Sequence, residues 1–382
     1  MTSRKYYSDT AWNFGAFGVQ AVSGAALNLL LMRFAGPGTL GVFNQLYAVF
    51  VITGQLAAFG LQDSCQKHVA EYDDDNREKS RIIVTGLICA ALTGLLGSLV
   101  LAVAGKFLGR GVLYLAPGVL FFVLNKAALA ILNGERRMRI YAMGQSLRAL
   151  FVVAGCLLVG LTDWPKPLMG AAFTVSEALL FLVLLPTFLP HFEKAPVLAP
   201  WIRRHLAFGL RALPHGFLTE TMIRIDVLVL SLFMSEAQVG IYSFVAFFLE
   251  GILQIPLTVR TVTNPLWTKI VKRRDRREFF QTARHAIATS GFSTLAAIAV
   301  LLALFPTLIT YFPKTDAVAS WELLKILMAG LAVYAFFLPL DHLLLQGGKP
   351  GWQSVAMVVT TGLNVALNFI LIPRHGLSGA AM

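Results

Sequence analysis

Five residues able to carry charge fall between positions 211 and 226 of one otherwise apolar segment. They are Arg211, His215, Glu220, Arg224 and Asp226. A charge that faces lipid at mid-bilayer costs about 3 kcal/mol, so these side chains must face a cavity, pair with one another or lie at an interface. One interpretation is a cavity wall whose cations hold an anionic ligand. The other is that Arg211 is interfacial and that Glu220 and Arg224, spaced i and i+4, form a structural pair.

Other apolar segments also contain charged residues. They are the cations Lys126, Arg148 and Arg260 and the carboxylates Glu177 and Glu250. Arginine matches phosphate oxygens by bidentate hydrogen bonds, so the cations are candidates for an anionic group, with Arg224 first because it lies deepest. Glu250, which shares a helix face with Gln254, either binds a coupling cation or pairs with an arginine of the neighbouring segment.

Amide side chains form a stripe on the first apolar segment. Asn13, Gln20, Gly24 and Asn28 fall within about 80° of one another on a helix with 100° per residue. Such a stripe suits a water-filled lumen, where amides bind a polar ligand. The alternative is helix packing, which also uses amides and small residues.

The composition decides what kind of protein contains these residues. Of the 382 residues, 57% are hydrophobic and 14% are charged, whereas soluble domains carry about 25% charged residues. The mean hydropathy of +0.69 also argues against a soluble enzyme. Three cysteines without a CxxC pair and scattered histidines indicate neither a disulfide framework nor a metal site. Long apolar blocks predict an all-α polytopic membrane protein rather than a β-barrel.

The apolar blocks predict eleven membrane spans, because a helix needs about 20 apolar residues to cross the hydrocarbon. They lie at roughly 10–34, 38–62, 82–104, 111–133, 140–161, 168–189, 206–233, 239–263, 285–312, 321–345 and 351–372. All six tryptophans fall at or near the predicted helix ends, where indole rings settle at the headgroup level.

Lysine and arginine predict the orientation. With a cytoplasmic N-terminus, twenty of the 32 would be cytoplasmic and six would be outside, as the positive-inside rule requires. The net charge of +12 is mostly this bias, so no nucleic-acid partner is expected. The basic stretch 269–277 is either a plain topogenic run or a contact with anionic membrane lipids.

Two short matches indicate an internal repeat. Gly41-Val42-Phe43 is followed 199 positions later by Gly240-Ile241-Tyr242, and 168–172 (LMGAA) resembles 377–381 (LSGAA). Unless these matches are coincidental, residues 1–190 form one lobe with spans 1–6, 191–205 form a cytoplasmic linker, and 206–382 form a second lobe. A parallel repeat of this kind binds its substrate between the halves. One residue follows the second match, so the second lobe is expected to be truncated at the start of span 12.

Enzyme motifs are absent from the sequence. It has no GxxxxGK[ST], HExxH or GxSxG motif and no large loop between the predicted spans that could hold an active site. A transporter is therefore expected rather than an enzyme, and a membrane-embedded glycan polymerase or ligase is the enzyme alternative.

Several ordered stretches resemble the polysaccharide-biosynthesis (Wzx-like) flippases of the MOP superfamily. They are 31–43 (LMRFAGPGTLGVF), 134–137 (GERR), 239–242 (VGIY), 347–350 (GGKP) and 372–381 (IPRHGLSGAA), the last two linked through Asn364 and Asn368. The resemblance implies a MATE-like fold with two six-helix lobes around a central cavity, and alternating access.

The resemblance also implies a cargo. It would be an undecaprenyl-diphosphate-linked oligosaccharide, moved from the cytoplasmic to the outer leaflet of the bacterial inner membrane. The arginines and Lys126 would meet the diphosphate, and Asn13, Gln20, Asn28 and Gln254 the sugars. Glu250, Asp226 and Glu220 would couple transport to H⁺ or Na⁺, without a cofactor or metal. A polysaccharide polymerase and glycosyltransferases of the same pathway would be partners.

Other transport functions share this fold. A cation-coupled MATE-type multidrug exporter should have an acidic, aromatic cavity, whereas the intramembrane charges here are slightly more basic than acidic. Export of lipid II or of a teichoic-acid precursor is a neighbouring variant. A non-transporting scaffold would leave the buried charges without a purpose.

Overall fold

The regular elements of the computed structural model are helices throughout the residues that it describes. These residues are 3–72, 75–194, 199–273, 275–346 and 350–382, without the side chains of 3–11, 14, 193–194, 215–216, 219–223, 261–262, 264–266, 268–269, 271–273, 345–346 and 350–351. The helices are α1 (Ser3–Leu30), α2 (Pro37–Ala58), α3 (Leu61–Glu71), α4 (Asn76–Leu108), α5 (Arg110–Gly134), α6 (Met138–Leu161), α7 (Met169–Leu184), α8 (Leu189–Lys194), α9 (Ala199–Phe233), α10 (Glu236–Arg273), α11 (Arg276–Ile309), α12 (Ala317–Phe337), α13 (Leu343–Gln346), α14 (Pro350–His375) and α15 (Leu377–Ala381). A π-helical turn, Leu31–Ala35, extends α1.

Ten helical segments of the described chain are long and apolar enough to cross a membrane. They are Gly15–Ala35, Pro37–Ala58, Asn76–Leu108, Arg110–Gly134, Met138–Leu161, Lys166–Thr187, Glu236–Arg260, Arg276–Ile309, Ala317–Leu340 and Trp352–His375. The predicted seventh span, 206–233, corresponds to α9, which is a continuous helix but is not among the ten. Its charged residues between 211 and 226 make it much less apolar than the other spans.

The chain forms two compact units. Unit 1 comprises residues 1–31 and 42–224, and unit 2 comprises 32–41 and 225–382. These boundaries differ from the lobes predicted from the sequence, because α9 continues without a break through position 224. The six-helix lobes stay a prediction.

Two helix starts have the same cap at equivalent positions. The Asp75 carboxylate accepts hydrogen bonds from the backbone N–H groups of Arg77 and Glu78, each at 3.0 Å, at the start of α4. The Asp275 carboxylate accepts one from Glu278 N–H, also at 3.0 Å, at the start of α11. Both read Asp-x-x-Glu, and they are 275 − 75 = 200 positions apart. This spacing is close to the 199 positions between the two glycine motifs, so it supports the internal repeat.

The paired glycines of the repeat contact each other within unit 2. A Cβ atom on Gly41 would lie 1.8 Å from the Glu236 carbonyl oxygen, and one on Gly240 would lie 1.8 Å from the Pro37 carbonyl oxygen. Each of these carbonyls is four residues before a glycine of the pair, so the contact is reciprocal. The first turns of α2 and α10 therefore cross at a distance that excludes a side chain.

The beginning of α9 is held in unit 1 by two buried aromatic side chains. Trp201 donates its indole N–H to Glu78 Oε1 at 2.6 Å. His205 lies 3.2 Å from the Ile82 carbonyl through Nε2 and 2.9 Å from Ser64 Oγ through Nδ1. Because a carbonyl only accepts, Nε2 carries the proton and Nδ1 accepts from the serine. Burial lowers the pKa of His205 to about 4, so the ring is neutral at pH 7.

Two of the six tryptophans are buried in protein. Trp201 and Trp267 lie near helix ends, yet they are 2% and 0% exposed and pack inside protein. Trp267 donates its indole N–H to the Pro339 carbonyl at 3.0 Å. Both indoles therefore find their hydrogen-bond acceptor in the protein instead of at the membrane surface.

The close crossing of α2 and α10 gives a test of the fold. We expect Gly240→Ala to lower the thermal unfolding temperature of the detergent-purified protein, because the added methyl group must displace backbone at a cost of about 1–3 kcal/mol. Gly251→Ala on the same helix is the matched control, since its Cβ would meet open space. Equal unfolding temperatures for the two variants would contradict the crossing.

Candidate functional site

A buried polar cluster lies inside unit 1, where α5, α6 and α7 meet. Arg148 Nε of α6 is 2.6 Å from Glu177 Oε1 of α7. Asn125 of α5 donates through Nδ2 to the other carboxylate oxygen at 2.9 Å and to the Glu177 backbone carbonyl at 2.8 Å. Glu177 is 1% exposed and Asn125 is 0% exposed. The carboxylate is thus removed from solvent and held between a cation and an amide.

Lys126 extends the cluster towards α2. Its ammonium group donates a hydrogen bond to Gln55 Oε1, and Gln55 is buried. The Phe122 ring lies under both cations, 4.4 Å from the Arg148 guanidinium carbon and 5.5 Å from Lys126 Nζ. Aromatic faces attract cations. Two cations and one carboxylate give the cluster a formal charge of +1, which favours an anionic ligand.

Arg224 of α9 also contacts α2, where it lies against the Tyr47 ring. Its guanidinium carbon is 4.7 Å from the centre of the Tyr47 ring, and Tyr47 stacks between Phe43 at 5.7 Å and Phe173 at 5.9 Å. The Nε atom of Arg224 is buried without a hydrogen-bond partner among the described residues. Tyr47 and Gln55 are eight residues apart, which is about 12 Å along a helix. One face of α2 therefore presents two cationic positions.

The carboxylates of unit 2 have different surroundings. Asp226 accepts a hydrogen bond from the Tyr242 hydroxyl, and its other oxygen accepts one from Val227 N–H at 2.8 Å. Glu250 is exposed, and its backbone carbonyl accepts from Gln254 Nε2 at 3.3 Å. Arg260 pairs with Asp341 at 2.9 Å. Arg260 therefore belongs to an ion pair within unit 2.

The remaining predicted site residues lie outside the polar cluster of unit 1 and outside the contacts of Asp226 and Arg260 in unit 2. Arg211 is exposed. Asn13 donates to Met138 Sδ at 3.6 Å, whereas Gln20 and Asn28 donate to the carbonyls one turn earlier, Ala16 at 3.2 Å and Gly24 at 2.9 Å. The Glu220 side chain falls outside the described residues, so its pairing with Arg224 stays a prediction.

Four residues of the cluster were not among the candidates selected from the sequence. They are Tyr47, Gln55, Phe122 and Asn125. A lone aromatic or amide residue in an apolar helix gives little signal, because such residues are also common in helix packing. The sequence did mark Glu177 as a carboxylate within an apolar segment, in the same half of the chain as two such cations. It did not show which cation is its partner.

The side chains of the cluster offer donors for an anion rather than ligands for a metal ion. The described residues contain no group of three or more His, Cys, Asp or Glu side chains placed to hold a metal ion. The cluster instead offers guanidinium and ammonium donors backed by aromatic rings, which is a set suited to phosphate oxygens.

Comparison with known proteins gives a family and several relatives. Residues 8–271 match the model of the family described as "Polysaccharide biosynthesis protein", and residues 215–370 match the model named MatE. The chain is 24% identical to "Probable low-salt glycan biosynthesis flippase Agl15" of Haloferax volcanii over 379 residues, which cover 94% of this chain and 77% of the relative. It is 20% identical to "Putative O-antigen transporter" of Shigella flexneri, covering 98% of this chain and 93% of the relative.

Solved structures share the fold. An inward-facing multidrug resistance MATE transporter of the MOP superfamily has a TM-score of 0.78 at 16% identity, over 94% of this chain and 89% of that protein. The lipid II flippase MurJ in an inward closed conformation has a TM-score of 0.76 at 16% identity, over 96% and 82%. The fold is thus that of a polytopic membrane protein, similar to the MATE and MurJ structures. Since its model matches residues 8–271, more than half of the chain, the chain belongs to the family described as "Polysaccharide biosynthesis protein".

The buried pair gives a test of the site. We expect Arg148→Leu to destabilise the purified protein by about 3 kcal/mol, because it leaves the Glu177 charge buried without its cation. Arg148→Leu combined with Glu177→Leu should recover most of this loss, since neither charge then remains. Thermal unfolding in detergent measures both variants. A double variant as unstable as the single one would show that the pair is not the reason for the loss.

Proposed function

We propose that this protein flips a lipid-linked oligosaccharide from the cytoplasmic to the outer leaflet by alternating access. The cargo is an undecaprenyl-diphosphate-linked oligosaccharide for a surface polysaccharide, such as O-antigen, capsule or exopolysaccharide. The observation that carries the proposal is the set of cations inside unit 1, where Arg148, Lys126 and Arg224 each lie against an aromatic ring.

The chemistry of the cargo explains the need for these cations. A diphosphate cannot enter hydrocarbon without compensating charge, because desolvating an ion is very costly. Arginine offers planar N–H donors that match phosphate oxygens. The buried Nε of Arg224, which has no hydrogen-bond partner in the described part of the chain, is one such donor. Amides such as Gln20, Asn13 and Gln254, which are exposed, can meet sugar hydroxyls.

The relatives support the class of cargo. One is named as a glycan biosynthesis flippase and another as an O-antigen transporter, and both are covered over more than two thirds of their length. We place the protein in the bacterial inner membrane with a cytoplasmic N-terminus, as the distribution of lysine and arginine predicts. A polysaccharide polymerase and glycosyltransferases that consume or supply the cargo would be its partners, together with membrane lipids.

A multidrug exporter is the second candidate, and the match of residues 215–370 to MatE favours it. The charge of the unit 1 cluster opposes it, because two cations and one carboxylate repel an organic cation. Flipping of lipid II or of a teichoic-acid precursor stays within the main proposal, since these cargoes also have a phosphate-linked carrier lipid.

Polyprenyl-linked lipids provide the direct test. In cells lacking the gene, mass spectrometry of extracted lipids should show accumulation of one diphosphate-linked oligosaccharide. The intact gene should relieve the accumulation, and an Arg224→Ala copy should not, because it removes the cation stacked on Tyr47. Arg110→Ala, which changes an exposed arginine at the start of α5, is the matched control and should relieve it.

The same experiment separates the candidates. An unchanged lipid profile together with increased drug sensitivity in the deletion strain would favour the multidrug exporter. Relief by the Arg224→Ala copy would keep the flippase proposal but remove Arg224 from the binding site.

Coupling to H⁺ or Na⁺ through Asp226 or Glu250 stays a hypothesis with its own test. Each carboxylate can bind a cation, and Asp226 is held in place by the Tyr242 hydroxyl. In proteoliposomes with an imposed ion gradient, Asp226→Asn or Glu250→Gln should abolish the gradient dependence of transport, whereas Glu322→Gln, an exposed carboxylate of α12, should not. Gradient-driven transport that both variants retain in full would remove the hypothesis.

A further inference from the structure

Glu177 is the buried charge to which the proposed function assigns no role. It is 1% exposed, whereas the side chain of its partner Arg148 is 22% exposed. The Arg148 side chain is therefore the more accessible member of the pair, and the Glu177 carboxylate is the buried one. An anion that arrives at Arg148 meets a cation whose charge is already neutralised by Glu177.

A phosphate at Arg148 competes with Glu177 for the guanidinium. Arg148 has five N–H donors, of which Nε lies against Glu177 at 2.6 Å. A phosphate that draws the guanidinium towards itself leaves the carboxylate buried without its cation. A carboxylate that is 1% exposed and has lost its cation is an unpaired buried charge, which is very costly.

Asn125 provides the place for the extra proton. Its Nδ2 donates to Glu177, but its Oδ1 is buried without a hydrogen-bond partner among the described residues. Buried acceptors are almost always satisfied, so an orphan acceptor on the amide that already holds Glu177 needs an explanation. A protonated Glu177 carries an O–H group that can donate to this oxygen. The amide can therefore hold Glu177 in both protonation states, as a donor to the carboxylate and as an acceptor from the acid.

The neighbouring charges agree with this exchange. Arg148 of α6 pairs with Glu177 and shares the Phe122 ring with Lys126 of α5. Protonation of Glu177 raises the formal charge of the cluster from +1 to +2. The proton thus increases the attraction for an anion at the moment when the anion binds.

We propose that Glu177 is a proton-linked competitor for Arg148. The phosphate of the cargo takes Arg148 from Glu177, and one proton moves from the solvent to a Glu177 carboxylate oxygen and is then shared with Asn125 Oδ1. Release of the cargo reverses both steps. This inference rests on the proposed function, since it assigns a role to Glu177 only if a phosphate-bearing cargo binds at Arg148.

Calorimetry on the full chain tests the proposal. Geranylgeranyl diphosphate is titrated into detergent-purified protein at pH 7.5 in two buffers with different ionisation enthalpies, which gives the number of protons taken up per ligand bound. We expect the wild type to take up about one proton more than Glu177→Gln, and its affinity to gain up to about tenfold per pH unit on acidification relative to that variant. Glu322→Gln is the matched control and should behave like the wild type.

The outcomes distinguish failure of the role of Glu177 from failure of the proposed function. Equal proton uptake by the wild type and Glu177→Gln, with both binding the diphosphate, overturns the role of Glu177 and leaves the proposed function standing. Absence of binding to the wild type overturns both. If Glu177→Gln does not fold, the double variant Arg148→Gln and Glu177→Gln replaces it, and the proposal then requires weaker binding without the extra proton.

Discussion

The rest of the structure depends on one constraint, which is that hydrocarbon offers no water to solvate a charge. The contact between Arg148 and Glu177 shows how the fold meets it. Arg148, Glu177 and Lys126 occur on three different helices, and each would be costly in lipid. The fold brings them together around Phe122 and Asn125. This packing needs a close approach of α2, since a Cβ on Gly54 would lie 2.7 Å from the Phe122 ring. The helices of unit 1 are therefore arranged so that their charges satisfy one another.

An internal repeat, as the sequence predicts, would allow a shared scaffold with different sites. Asp75 and Asp275 cap corresponding helices, and Gly41 and Gly240 make reciprocal contacts. These features concern backbone geometry, which duplication preserves. The polar side chains do not follow the repeat, because unit 1 holds a cationic cluster whereas unit 2 holds Asp226 against Tyr242 and Arg260 against Asp341. Each half thus keeps the same helix starts but has its own chemistry.

The charge of a residue and its depth in an apolar segment were enough to select part of the polar cluster of unit 1 from the sequence. Arg148, Lys126 and Arg224 were candidates for that reason, and the structure places each on an aromatic ring of unit 1. Arg260 met the same criterion but is paired with Asp341. A sequence shows that a buried charge needs a partner, but the partner lies on another helix at a distance in sequence that no local pattern predicts. Tyr47, Gln55, Phe122 and Asn125 became visible only through those contacts.

The sequence by itself determined the class of protein, since long apolar segments, few charges and the bias of lysine and arginine are local properties that hydrocarbon selects directly. It also predicted eleven spans. Ten correspond to the helical segments that are apolar enough to cross a membrane, and the other corresponds to α9, whose charges lower its apolar character. Only the tertiary structure decided which charges neutralise one another and which acceptors stay unsatisfied. The physical reason is that these are properties of distances between helices, such as the 2.6 Å between Arg148 and Glu177.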